Sequence, residues 1–363
     1  MLKHLWRVCA PSVFRQMWIS LSLASFALSA QAPGDVRVAL VIGNAAYPGK
    51  LALKNPGNDA QAMANALRGL GFKVVELRDG DRTQMTAAIA SARDSLKGMQ
   101  GIGMLYYAGH GLQLDWRNYM VPVNANIAKA ADVPQQTVDV NAVIDAFKQA
   151  GNRMNILVLD ACRDNPFGDN GSASGKGLAQ LNAPSGTFLA FATAPGNIAE
   201  DGDESSGNGL YTQFLLQELQ KPTAKIEDVF KRVRLNVRQQ SQGRQIPWES
   251  TSLEDDFYFN TGKIVVVAPP KEAERDKAFE VEKADWDKIK DSQNADDFYA
   301  YLQKYPSGLI SQQATAALER LAKAKVIAAA DKNGMTASAQ PRYQAGDAYH
   351  YKVTDLISGV TNA

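Results

Sequence analysis

Cysteine is nearly absent from this chain: 363 residues contain two, Cys9 and Cys162. Histidine is almost as scarce, with His4, His110 and His350 far apart. A disulfide scaffold needs many cysteines, and a structural zinc site needs about four Cys or His ligands gathered locally. Both classes are excluded. A dithiol redox centre is excluded too, because no resolving cysteine stands near either thiol. Nor is there an excess of one charge, since 39 Lys and Arg meet 38 Asp and Glu for a net +1. Without a global field, nucleic acid is not an expected partner. The apolar run at 17–28 is too short for a comfortable bilayer span.

What is present begins with an export pattern. Lys3, Arg7 and Arg15 form a basic region, residues 17–28 an apolar one, and Ser29, Ala30 and Ala32 a small-residue site. Cleavage is expected after Ala30, because Pro33 hinders cutting after Ala32. Residues 1–30 therefore read as a signal peptide. The protein is expected to be exported, periplasmic or extracellular, with no stable membrane insertion once the signal is gone. Cys9 precedes the apolar run and leaves with it. That isolates Cys162, a lone thiol in an oxidising compartment, where it is either a buried small hydrophobe or a chemical tool.

The rest alternates between strand and helix signals. Near-continuous apolar runs at 36–43, 72–77, 101–107, 155–160 and 188–192 read as buried strands. Ala60, Met63, Ala64 and Leu67 share one helical face, as do Met85, Ile89, Ala92 and Leu96, and Val140, Val143, Ile144 and Phe147. Helices are also expected at 210–219 and 226–237, and a last strand at 256–259. The alternation argues for an α/β fold with a mostly parallel sheet and helices on both faces. Such sheets bind ligands at the carboxyl ends of their strands. His110 and Cys162 lie at two such ends, where each strand is expected to stop. Tyr106 and Tyr107 should point to opposite faces.

Beyond the domain at 36–260 the composition shifts. Residues 261–271 read as a linker and 272–328 as a charged helical accessory region, a hairpin sealed against itself by Trp286, Phe298, Tyr299 and Leu302. A second linker (329–341) leads to a short or truncated β segment (342–363). Two loops rich in Gly, Ser, Asp and Asn, 168–177 and 196–209, fall near the catalytic edge.

The runs Tyr106-Tyr107-Ala108-Gly109-His110-Gly111 and Asp160-Ala161-Cys162-Arg163-Asp164-Asn165-Pro166 resemble the two catalytic motifs of the caspase-like cysteine peptidases. The likeness is to bacterial metacaspase-type members, or orthocaspases, and covers about 36–260. It implies a cysteine endopeptidase acting on polypeptides, with Cys162 as nucleophile and His110 as proton carrier. It also implies an oxyanion hole made by the backbone N–H groups of Gly111 and Cys162. Asp59 and Asp160 match the acidic pocket of the metacaspase branch, so cleavage is expected after Arg or Lys. Lys176, in the loop after the cysteine, is a candidate autoprocessing site. Calcium-binding relatives carry an acid just beyond the Val-Pro motif. Asn124 stands there, which argues against calcium activation and leaves Asp169 for a weaker site. No metal or cofactor is expected, and the metacaspase likeness implies a monomer. Simpler roles stand beside these: a satisfied core histidine for His110, helix capping for Asp59, loop bracing for Asp160. The rival function is a catalytically silent caspase-like scaffold whose helical region recruits a protein partner.

Overall fold

The computed structural model describes residues 35–162, 178–179, 181–194, 207–262 and 272–332, with short strands at 353–354 and 361–362. The expected signal segment, Arg163, Asp164, Asp169, Lys176 and His350 lie outside the described residues.

The elements begin with β1 (Arg37–Gly43), α1 (Pro56–Gly69), β2 (Lys73–Arg78) and α2 (Arg82–Leu96). Then come β3 (Ile102–Leu114), β4 (Arg117–Met120), α3 (Val133–Gln136), β5 (Val138–Asp139) and α4 (Val140–Gln149). β6 (Met154–Cys162), β7 (Thr187–Phe191), α5 (Leu210–Leu219), α6 (Ile226–Gln240) and β8 (Trp248–Thr251) complete the sheet and its helices. The sheet order is β2-β1-β3-β6-β7-β8, parallel except for the β7–β8 pair. Side chains of one face pack with α1, α5 and α6, and those of the other with α2 and α4. The strands are apolar throughout because both faces are covered. Tyr106 belongs to the first core and Tyr107 to the second, as a two-residue period requires.

Three expectations are corrected. β3 does not stop at His110 but runs on to Leu114, because β4 pairs with it from Gly111↔Met120 to Leu114↔Arg117. The connecting turn, Asp115-Trp116, has positive φ at both residues, yet lacks the Asn-Gly signature of such hairpins. The last sheet strand is β8, not 256–259, where Tyr258 makes only an isolated bridge to Lys225. The alternation of Phe257 and Phe259 has another cause. Both rings are buried in the α1/α5/α6 core, and the Arg37 guanidinium donates to the carbonyls of Tyr258 and Phe259.

Third, the accessory region is three helices rather than a pair: α7 (Glu272–Ile289), α8 (Ala295–Lys304) and α9 (Ser311–Lys332). Their core of Phe298, Tyr301, Leu302, Ile310 and Leu318 also takes in Leu235 of α6, so the region is not sealed against itself alone. Gln303 Nε2 donates to Asn236 Oδ1 at 2.5 Å and Lys231 Nζ to Ser307 Oγ at 2.6 Å. The final strands, β9 (Val353–Thr354) and β10 (Thr361–Asn362), pair antiparallel.

Glu218 on α5 ties the helical face together. It is 2% exposed and accepts from Arg232 Nε and Lys221 Nζ, each at 2.7 Å. Breaking a buried pair strands its partner. Glu218→Ala is expected to cost about 3 kcal/mol, read as a lower urea midpoint at constant slope.

Candidate active site

His110 and Cys162 are register partners on the neighbouring parallel strands β3 and β6. β1 ends at Gly43, opposite Ala108, so β3 outlasts it at the carboxyl edge. The β1–α1 loop folds into the space left. Asn44, buried at its start, anchors it by accepting from Gly80 N and donating to the Val121 carbonyl. Asp79 accepts from the amides of Ala45 and Ala46, both at 2.8 Å.

This loop holds the histidine. Nε2 of His110 lies 2.7 Å from the carbonyl oxygen of Leu51. A carbonyl only accepts, so Nε2 carries the proton and donates, leaving the lone pair of the neutral ring on Nδ1. Nδ1 is buried and has no hydrogen-bond partner among the described residues. Tyr47 packs its ring at 4.5 Å from the imidazole, centroid to centroid. His110 is 7% exposed, and burial lowers its pKa below the ordinary 6.5, against the opposing pull of the Leu51 carbonyl.

Asp59 of α1 and Asp160 of β6 come together near the start of α5. Helix α1 starts at Pro56, so Asp59 lies within its first turn and does not cap it. Its Oδ1 accepts from the Gly209 amide at 2.9 Å, at the start of α5. Asp160 Oδ2 accepts from Thr212 Oγ1 at 2.6 Å. A Cβ built on Gly209 would stand 3.3 Å from Asp59 Oδ2 and 3.9 Å from Asp160 Oδ2, so both carboxylates border one small space. The positive end of the α5 dipole faces them. Tyr106 reaches the same place, its hydroxyl 2.5 Å from Thr212 Oγ1. Its pKa is pushed well up, first by burial and then by the charges of Asp160 and Asp59.

Gly111 follows His110 for a packing reason. A Cβ there would come within 3.0 Å of Ala161 Cβ and 3.1 Å of Leu178 Cδ2. Leu178 and Ala179 are buried beside it. Asn118 on β4 holds Ala179 at both backbone groups, accepting from its amide at 2.6 Å and donating to its carbonyl at 3.0 Å. Asn118→Ala is expected to lower stability by about 2 kcal/mol, because two buried backbone groups lose their partners. The check is a thermal melt, with proteolysis near 178–179 accelerating in the variant.

Sequence reasoning passed over Tyr47, Leu51, Thr212 and Asn118. The Leu51 contact is a backbone carbonyl and leaves no mark on residue type. Thr212, buried at the start of α5 beside Leu210 and Tyr211, was the one visible signal. Asn124 is exposed in a turn, and among the described residues no group of three or more His, Cys, Asp or Glu gathers as a metal set. No described helix is long and apolar enough to cross a membrane.

A parallel sheet in this order, with histidine and cysteine in register at its carboxyl edge, defines the class. Residues 36–258 match the family model of the caspase domain, and the chain belongs to that family of cysteine peptidases. Among curated proteins it is similar to mucosa-associated lymphoid tissue lymphoma translocation protein 1 of Homo sapiens and to its homolog in Mus musculus. Each is 32% identical over 199 residues, which cover 53% of this chain and 23% of the relative. The chain thus spans less than a quarter of either relative's length.

Proposed function

We propose that this protein is an exported cysteine endopeptidase of metacaspase type that cuts polypeptides after Arg or Lys. The observation that carries the reading is the register pairing of His110 on β3 with Cys162, the last residue of β6. The imidazole lone pair on Nδ1 takes the thiol proton, and the Cys162 sulfur attacks the scissile carbonyl. Backbone N–H groups of Gly111 and Cys162 hold the oxyanion. The imidazolium returns its proton to the leaving amine, and water then resolves the acyl-enzyme with His110 as base. The space bordered by Asp59, Asp160 and Gly209 supports the choice of Arg or Lys before the cut, since a guanidinium or ammonium there meets two carboxylates. Lys176 obeys the same rule and is the proposed autoprocessing position. The protein acts as a monomer.

Fluorogenic peptides ending in Arg, Lys or Asp test the reading. Cleavage after Arg or Lys is expected. Cleavage after Asp would keep the peptidase and discard the acidic pocket. No cleavage, with or without calcium, would favour a silent scaffold whose accessory helices recruit a partner. Burial disfavours the imidazolium, so the base form of His110 persists below pH 6.5. The acid limb of kcat/KM is therefore expected to have its midpoint below 6.5. A midpoint above 6.5 would contradict that assignment.

A further inference from the structure

β1 ends opposite Ala108 and no longer flanks His110, and two tyrosine hydroxyls approach the histidine's backbone there. The His110 amide donates to Tyr47 Oη at 3.1 Å, and Tyr107 Oη donates to the His110 carbonyl at 2.6 Å. Tyr47 Oη in turn donates to the Val121 carbonyl at 2.9 Å. Tyr47 thus satisfies the buried amide of the histidine, while Tyr107 shares the histidine's carbonyl with the Val121 amide, which donates to it at 3.1 Å. Gly109, just before the histidine, has φ +152°, and a Cβ there would lie 2.8 Å from Tyr107 Oη and 2.9 Å from Tyr47 Oη. Glycine is needed at this position for both hydroxyls to reach the next residue.

Tyr47 does a second thing. Its ring, itself buried, lies against the imidazole at a tilt of 54°. The same loop presents the Leu51 carbonyl to Nε2. One face of the histidine ring and one of its nitrogens are therefore held by a single short segment, which Asp79 and Asn44 fasten to the sheet. What the segment leaves open is Nδ1.

We propose that Tyr47 is a positioning residue for His110: its hydroxyl sets the histidine's peptide plane, and its ring covers one imidazole face so that Nδ1 is the edge left to react. The inference rests on the proton-carrier reading of His110 only in its kinetic arm. The groups that meet the imidazole are Tyr47 and the Leu51 carbonyl from the loop, with Cys162 at the register position on β6, while Tyr107 reaches only the histidine's carbonyl. Asp79 acts on Tyr47 from beyond the loop.

The test uses the whole protein with Tyr47→Phe and Tyr47→Ala. His110 is titrated by NMR, its imidazole signal assigned with His110→Gln, and the pH profile of kcat/KM is measured in parallel. Tyr47→Phe keeps the cover and loses the hydroxyl. It is expected to leave the His110 titration unmoved and to lower kcat about tenfold with KM little changed, the pattern of lost orientation. Tyr47→Ala opens the ring face to water. The His110 midpoint is then expected to rise toward 6.5, with the acid limb of kcat/KM rising in step. A His110 titration unchanged in Tyr47→Ala, or a parental kcat in Tyr47→Phe, would overturn the proposal. If the parent protein cleaves no peptide, the peptidase reading fails by itself, and the titrations still decide the role of Tyr47. Should Tyr47→Ala not fold, Tyr47→Val replaces it: the smaller side chain uncovers part of the imidazole face, and a smaller rise of the His110 midpoint is expected, an unmoved midpoint again overturning the proposal.

Discussion

Cys162→Ala is expected to lower cleavage of an Arg-terminated peptide by about 10⁴-fold or more, while the thermal midpoint stays close to that of the parent. The size of the effect follows from covalent catalysis, in which no other group supplies the sulfur that forms the acyl-enzyme. His110→Ala should cost a similar factor. The double variant should be no worse than either single one, because nucleophile and proton carrier act as a unit. Alkylation by iodoacetamide gives a second readout that needs no substrate. A thiol served by a base reacts quickly near neutral pH, and His110→Ala should slow it. Cleavage that survives Cys162→Ala would assign the activity to another protein in the preparation or to another site. Equal alkylation rates with and without His110 would break the link between the two residues.

The second large effect is on specificity. Asp160→Asn and Asp59→Asn each keep an oxygen that accepts a hydrogen bond, so the contacts from Thr212 and from the Gly209 amide can persist. What each variant loses is charge. The expected result is a fall of about 10²-fold in kcat/KM for peptides with Arg before the cut, the size of one charge-assisted hydrogen bond in a shielded place. Citrulline has nearly the shape of arginine without its charge. The ratio of Arg to citrulline cleavage should therefore shrink in both variants while the citrulline rate itself changes little. A ratio that stays put would remove Asp59 and Asp160 from the pocket and return them to helix and loop bracing.

Much of the scaffold was legible in residue order. In α2, the four positions singled out by periodicity, Met85, Ile89, Ala92 and Leu96, are the four that the helix buries. The limits of α5 at Leu210 and Leu219 also follow the pattern. Period and composition report burial directly, and these elements are shaped by burial. The β3–β4 hairpin was not legible, because its turn is made by Asp115 and Trp116 in a conformation that glycine and asparagine usually adopt. β8 was missed because none of its four residues is buried and they carry no apolar run. The phenylalanines at 257 and 259 imitated it, answering to the guanidinium of Arg37 and to neighbouring rings rather than to a strand. In the site, Cys162 was readable as the end of an apolar strand, and His110 as the end of the apolar run 101–107, although β3 itself continues to Leu114. The grip on the histidine was not, since half of it is main chain.

That main-chain grip has a consequence for mutational scanning. No substitution at Leu51 deletes a carbonyl, so a residue-by-residue scan of the loop would pass over the oxygen that meets Nε2. Only a change in the number of residues between Tyr47 and Leu51 could move that oxygen while leaving the tyrosine in place. In this loop, length outranks spelling. A library of single deletions and insertions across residues 48–50 would expose a requirement to which a library of replacements is blind.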